Sequence, residues 1–158
     1  MNFRNQLIES DIQAVREILN STGFFYDFEV DVAVELAQEN FKKGEEKSGY
    51  FFTIVEVEGK TIAFSCYGKT PCTAASFDLY WIAVHQNQKG KGIGKKLLKM
   101  LERHVTKLSG KNIWIETAGR PLYNPTRKFY ENYGCELVAE LPDFYGENDS
   151  KVIYLIKV

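Results

Sequence analysis

The apolar positions of the chain follow two rhythms, one helical and one of strands. Ile93, Leu97, Leu101, Val105 and Leu108 lie three or four residues apart, and Lys95, Lys96, Lys99, Glu102 and Arg103 face elsewhere. This spacing predicts a helix with one apolar stripe, stopped by Ser109-Gly110. His104, beside Leu101 and Val105, reads as a half-buried packing residue. Ile12, Val15, Ile18 and Leu19 predict an earlier helix up to Gly23, with Ser10-Asp11-Ile12-Gln13 as its capping box. Val30, Val34, Ala37 and Phe41 predict a second helix over Glu29–Lys43, broken by the polar stretch Gly44–Gly49. Thr126–Tyr133 reads as a short helix closed by Gly134.

The strand rhythm fills the remainder. Phe3–Ile8 reads as a short first strand, and Phe24–Glu29 as an aromatic and acidic connector between the first two helices. Tyr50–Val57 and Thr61–Gly68 are β-branched and aromatic, joined by the hairpin signal Glu58-Gly59. Pro71–Ser76 is a loop, and Phe77–Val84 is a strand. Asn112–Thr117, Cys135–Leu141 and Lys151–Val158 are further strands, with loops at Gly119–Pro125 and Pro142–Ser150. The order is strand, two helices, three strands, helix, strand, helix, two strands. No repeat or linker divides it, so residues 1–158 are expected to form a single α/β domain.

Between strand 77–84 and the most regular helix stands Lys89-Gly90-Lys91-Gly92-Ile93-Gly94-Lys95-Lys96. Glycines let the backbone turn tightly and approach a ligand closely. The helix that follows begins with unpaired N–H groups and the positive end of its dipole. Together they make a cradle for an anion, most often a phosphate, with four lysines adding charge. A P-loop is excluded, because position 89 is Lys and Lys96 stands where Ser or Thr belongs. A dinucleotide fingerprint fails by one residue, at Lys95.

The formal net charge of −1 gives no global field for nucleic acid or an acidic membrane. No apolar run is long enough to span a bilayer, and none resembles a signal peptide. Cys66, Cys72 and Cys135 are too few and too scattered for a disulfide framework, and they form no zinc pattern with His85 and His104. A cytoplasmic protein is the expectation.

The glycine stretch resembles the acetyl-CoA loop of the GCN5-related N-acetyltransferases (GNAT), whose pattern is Arg/Gln-x-x-Gly-x-Gly/Ala at a helix start. Lys89-Gly90-Lys91-Gly92-Ile93-Gly94 fits it, with Lys89 in place of Arg or Gln. Phe129-Tyr130-Glu131-Asn132-Tyr133-Gly134-Cys135 resembles the family segment Phe-Tyr-x-x-x-Gly-Phe, departing at Cys135. The order of elements also matches, so the resemblance covers nearly the whole chain. It implies a mixed central sheet with splayed strands 77–84 and 112–117, flanked by helices. It implies acetyl-CoA as cosubstrate, no metal, and transfer to an amine carried by a small molecule or a protein. The backbones of Ile82 and Val84 would meet the pantetheine arm. Lys89, Gly90, Lys91, Gly92, Ile93, Gly94 and Lys95 would meet the pyrophosphate. The family's CoA-binding Asn often lies seven residues before the Tyr; here that position is Tyr123, and Asn124 is one residue late.

Acetyl transfer needs a neutral amine, a polarised carbonyl and a stabilised leaving thiolate. The resemblance makes Tyr130 the acid for the thiolate. It makes Asp78, six residues before Val84, the counterpart of a catalytic Glu; a strand-edge residue exposed to water is the plainer reading. Glu116 is the second candidate base, at the end of the opposite strand. His85 has a suitable unperturbed pKa but lies past the strand end. The family places the acceptor near the connector that carries Phe24, Phe25, Tyr26, Asp27, Glu29 and Asp31. Two other classes stay open: a non-catalytic acyl-CoA sensor, and a small nucleic-acid binder using the lysine cluster. The basic stretch lacks interleaved aromatics, which weighs against the second. A homodimer stays open.

Overall fold

The computed structural model describes residues 1–158. Its elements are β1 (Asn2–Arg4), α1 (Glu9–Thr22), α2 (Asp27–Ser48), β2 (Tyr50–Val57), β3 (Lys60–Lys69), β4 (Ser76–Val84), α3 (Ile93–Lys107), β5 (Asn112–Ala118), α4 (Asn124–Tyr133), β6 (Glu136–Gly146) and β7 (Asp149–Lys157). The strands form one mixed sheet of seven in the order β1-β2-β3-β4-β5-β7-β6. β4 and β5 run parallel, whereas β1/β2, β2/β3, β5/β7 and β6/β7 are antiparallel. Contacts divide the chain into two compact units, residues 1–69 with 80–101, and residues 70–79 with 102–158.

In the first unit the β2–β3 hairpin turns at Glu58 and Gly59, with φ of 50° and 74°. Two left-handed residues in succession match the right-handed twist of the paired strands. Successive strand residues point to opposite faces. Phe52, Ile54, Phe64 and Cys66 accordingly join Val15, Ile18, Leu19, Val30, Ala33, Val34 and Ala37 of α1 and α2 in one core. Val55, Ile62 and Ala63 pack with Ile93 and Leu97 of α3 in another. The α3 stripe is buried at Ile93, Leu97, Leu101 and Val105, and Leu98 joins it. Leu108 falls beyond the helix end and is exposed.

Several boundaries move for local reasons. β1 stops at Arg4 rather than Ile8, because Arg4 turns its guanidinium onto Asp11 at 2.6 and 2.7 Å. α1 is not capped by Ser10, which lies inside it. Instead the Asp11 carboxylate accepts the Ile8 N–H at 2.8 Å. α2 begins at Asp27, with Glu29 accepting the Tyr26 N–H at 2.8 Å. It bends at Gly44 (φ 76°) and runs on to Ser48. Its buried face ends on Asn40, which donates to the Tyr50 carbonyl at 2.7 Å, while Phe41 is exposed.

In the second unit β5 is flanked by the first residues of β4 and by β7, and Ile113, Ile115, Val152, Tyr154 and Ile156 are buried. α4 starts at Asn124, earlier than Thr126, since proline at a first helical turn costs no hydrogen bond. β6 continues through Pro142 to Gly146, where a loop was expected. A proline is tolerated on an edge strand because its missing N–H leaves no ladder bond broken. Leu137, Val138, Leu141, Phe144 and Tyr145 of this edge strand are exposed.

Asp11 is fully buried and joins α1 to the sheet. It takes two bonds from Arg4, one from Thr61 Oγ1 at 2.6 Å and one from the Ile8 N–H. Burial alone would raise its pKa. The bonds from Arg4, Ile8 and Thr61 and the Arg4 charge outweigh burial and hold it below its ordinary value of 3.8. A depressed carboxyl stabilises the fold above the unfolded-state pKa and loses that contribution as pH falls through the folded one. Asp11→Ala removes the two Arg4 bonds to Asp11, leaves Arg4 with Glu56 and the Gln6 carbonyl, frees the Thr61 hydroxyl and the Ile8 N–H of their acceptor, and is expected to cost on the order of 2 kcal/mol. Denaturant unfolding near neutral pH reads this loss, and the variant's deficit should shrink as the pH falls below 3.8.

Candidate functional site

The turn from β4 into α3 is built by two left-handed glycines. Gly90 and Gly92 have φ of 78° and 73°, a region most side chains avoid. A Cβ at either position would meet no atom within 4 Å, so the requirement is conformational and the space beside the backbone is open. The first intrahelical bond of α3 is Lys96 N–H to the Gly92 carbonyl at 3.2 Å. The N–H groups of Ile93, Gly94 and Lys95 therefore have no acceptor within the helix. The lysines of the turn differ in their partners. Lys91 Nζ donates to Gln88 Oε1 at 2.7 Å. Lys89 Nζ lies 4.7 Å from the centre of the Phe24 ring. Lys95 is exposed.

Along β4 the ladder to β5 runs from Ser76–Asn112 to Leu79–Ile115. β4 continues to Val84, and Ile82 and Val84 lie on this continuation. His85 follows; its N–H donates to the Ile62 carbonyl at 2.8 Å and its Nδ1 accepts the Asn87 N–H at 3.2 Å. This imidazole caps the short 3₁₀ turn Gln86–Gln88.

The second unit carries the other candidates. Asp78 lies opposite Trp114 in the ladder and accepts Thr70 Oγ1 at 2.8 Å. Glu116 of β5 is exposed and paired with Lys151 at 2.7 Å. The same ammonium stands 3.7 Å from the Phe144 ring centre. The two carboxylates thus differ in environment: Asp78 has a neutral hydroxyl donor, Glu116 a cation. Asn124 Oδ1 accepts from Arg127 Nη2, and Arg127 Nη1 donates to the Ala118 carbonyl at 2.6 Å.

Tyr130 is buried, with its ring 5.2 Å from Phe129 and 5.6 Å from Tyr154. Burial, then Cys135 and Tyr154, push its pKa above the ordinary phenol value of 10.0. Tyr154, buried and bonded to Glu131, is pushed up to about 12. Burial and then Glu102 push Cys135 up to about 11, and burial raises Cys66 well above the usual thiol value. These phenols and thiols hold their protons at neutral pH, which suits a proton donor and does not suit a thiolate nucleophile.

Ile82, Val84 and Lys89 through Lys95 thus belong to the first unit, and Asp78, Glu116, Asn124 and Tyr130 to the second. Thr70 on Asp78 and Lys151 on Glu116 escaped sequence reading, as did the contact of Phe24, named there for the acceptor, with Lys89. None carries a local motif; each is defined by what it meets across the fold. No group of three or more His, Cys, Asp or Glu gathers to hold a metal. No helix is long and apolar enough to cross a membrane.

A strand leading through a two-glycine turn into a helix N-terminus, on a mixed sheet of this order, is the arrangement that the resemblance to the acyl-CoA transferases implied. The family model described as acetyltransferase (GNAT) domain matches residues 48–135, more than half of the chain. A GNAT-family protein from Desulfovibrio desulfuricans is 38% identical, with a TM-score of 0.95 over 99% of this chain and 98% of that one. The chain belongs to the GNAT acetyltransferase family and is an acetyltransferase. The aminoglycoside 6′-N-acetyltransferase from Enterococcus faecium shares the fold at 16% identity and a TM-score of 0.77, over 99% of this chain and 97% of that one. The ribosomal-protein-S18-alanine N-acetyltransferase from Escherichia coli does so at 19% identity and 0.76, over 99% and 93%. No curated protein matches the chain.

Proposed function

We propose that residues 1–158 act as one domain that moves an acetyl group from acetyl-CoA to a primary amine by direct attack. The observation that carries this reading is the turn at Gly90 and Gly92, which is open at both glycine Cβ positions and leaves the N–H groups of Ile93, Gly94 and Lys95 without helical acceptors. Donors of this kind at a helix N-terminus suit a pyrophosphate. Lys91 and Lys95 add charge, and Ile82 and Val84 offer backbone groups to the pantetheine arm. Asn124, its Oδ1 engaged by Arg127, has its amide nitrogen left to donate. The bound thioester supplies an activated acetyl group. Fold neighbours named for acetylating an aminoglycoside and a ribosomal-protein alanine support an amine acceptor.

Asp78 accepts the amine proton, directly or through a water. The nitrogen lone pair forms the C–N bond to the acetyl carbon, the C–S bond breaks, and Tyr130 gives its phenolic proton to the departing sulfur. Solvent then takes the second proton from the acylated nitrogen and the proton held by Asp78, and restores that of Tyr130. Asp78 is preferred to Glu116 because Glu116 is engaged in an ion pair with Lys151, whereas Asp78 accepts only from the Thr70 hydroxyl. Tyr130 is suited to donation because burial keeps it protonated.

Gly92→Val forces a β-branched residue into a left-handed φ and is expected to weaken acetyl-CoA binding at least tenfold by calorimetry, with the fold checked by circular dichroism. Unchanged affinity in a folded variant would sink the cofactor reading.

Asp78→Asn should lower turnover of an amine panel by about 10²–10⁴-fold, partly recovered at higher pH where more amine is neutral. If Glu116→Gln does this and Asp78→Asn does not, the roles exchange. Tyr130→Phe should lower kcat by roughly 10²-fold with acetyl-CoA affinity unchanged, because donation helps only as charge develops on sulfur. Since the phenol sits above its ordinary 10.0, ionisation of Tyr130 should cause no alkaline decline below that pH. Silence of Tyr130→Phe in both assays removes it from the chemistry.

A further inference from the structure

The connector between α1 and α2 is tied to the segment that precedes the glycine turn. Ser21, in the last turn of α1, accepts the Gln86 N–H on its Oγ at 3.1 Å. Phe24, in the connector, lies under the Lys89 ammonium at 4.7 Å. Phe25 packs edge-on against Trp81 of β4 at 5.2 Å. All six residues belong to the first unit. The connector leads directly into an exposed pair, Tyr26 and Phe28, stacked at 5.6 Å with their planes 10° apart. Acidic Asp27 and Glu29 stand beside them, so the surface that this connector positions combines aromatic faces with carboxylates. Such a surface attracts cationic amines.

We propose that Lys89 is a positioning residue: its ammonium holds the α1–α2 connector through Phe24, rather than neutralising the pyrophosphate. This rests on the reading of Gly90–Lys95 as the acetyl-CoA turn. A side chain whose head already lies on an aromatic ring gives little to a nearby anion without leaving that ring. Burial also holds the amine below its usual pKa, consistent with partial loss of water. Backbone N–H groups remain to hold the phosphates. Lys89 thus acts on the acceptor side of the reaction from a position in the cofactor motif. The link is reciprocal, as any coupling between two binding events is.

The test compares wild type, Lys89→Met, Lys89→Arg, Phe24→Leu and the double variant Lys89→Met/Phe24→Leu. Hydrogen exchange of the connector amides, residues 23–26, is measured on the ligand-free protein. Exchange should quicken about three- to fivefold in Lys89→Met and in Phe24→Leu, the factor a partly exposed cation–π contact supports. The double variant should show no further increase, because both changes remove one contact. Lys89→Arg, which keeps the cation, should match wild type. In solution, Lys89→Met should leave acetyl-CoA affinity within about twofold while the acceptor KM rises about three- to fivefold, the same factor. Unchanged connector exchange in Lys89→Met overturns the proposal. So does a tenfold loss of acetyl-CoA affinity confined to the Lys89 variants, which would make the ammonium a phosphate ligand. Failure of wild type to bind acetyl-CoA would instead overturn the reading of the turn, while the exchange comparison still decides the link between Lys89 and the connector.

Discussion

The turn at Gly90 and Gly92 is the constraint on which the functional reading depends. Two left-handed residues bring the chain from the end of β4 to the start of α3 and leave the first N–H groups of α3 without helical acceptors. The turn is held from both sides. His85 bonds to Ile62 of β3 before it, and Ile93, Leu97 and Leu98 are buried after it. A flexible glycine loop would lose entropy on binding an anion. One anchored by a core strand and a buried helix stripe has already lost most of it, which is the physical content of preorganisation.

Proton chemistry is distributed by burial. Tyr130, Tyr154 and Cys135 are held neutral at pH 7 by burial, helped by Glu131 beside Tyr154 and Glu102 beside Cys135. Asp11 is as deeply buried yet stays ionised, because Arg4, Thr61 and the Ile8 N–H satisfy its oxygens. Burial beside carboxylates or apolar groups keeps protons in place, whereas burial beside a cation and hydrogen-bond donors makes a structural anion. Asp78 and Glu116 fit neither case, since both keep contact with water. Their difference is the neighbour each meets, a hydroxyl or an ammonium.

Much of the fold was legible because its signals are periodic or local. The α3 stripe, the Glu58-Gly59 hairpin and the order of the eleven elements all follow from spacing and turn chemistry. The errors fall where tertiary contacts decide. Asp11 looked like the interior of a capping box starting at Ser10, but its carboxylate serves Ile8 and Arg4 instead. Pro142 looked like a loop, and only the place of β6 at the sheet edge makes it a strand residue. The glycine turn was legible because its demand on φ is local. The Lys151–Glu116 pair and the Lys89–Phe24 contact were not, because they join residues 35 and 65 positions apart in the chain.

The central claim is that the backbone of the β4–α3 turn holds the cofactor's pyrophosphate. Amide NMR during a titration with acetyl-CoA tests it most directly, with the pantetheine arm alone as the comparison. The account predicts that acetyl-CoA shifts the amides of Gly90 through Lys95 strongly and saturably, and that pantetheine, which lacks the pyrophosphate, barely moves them. Equal shifts with both ligands, or saturation that leaves these amides in place, would contradict it.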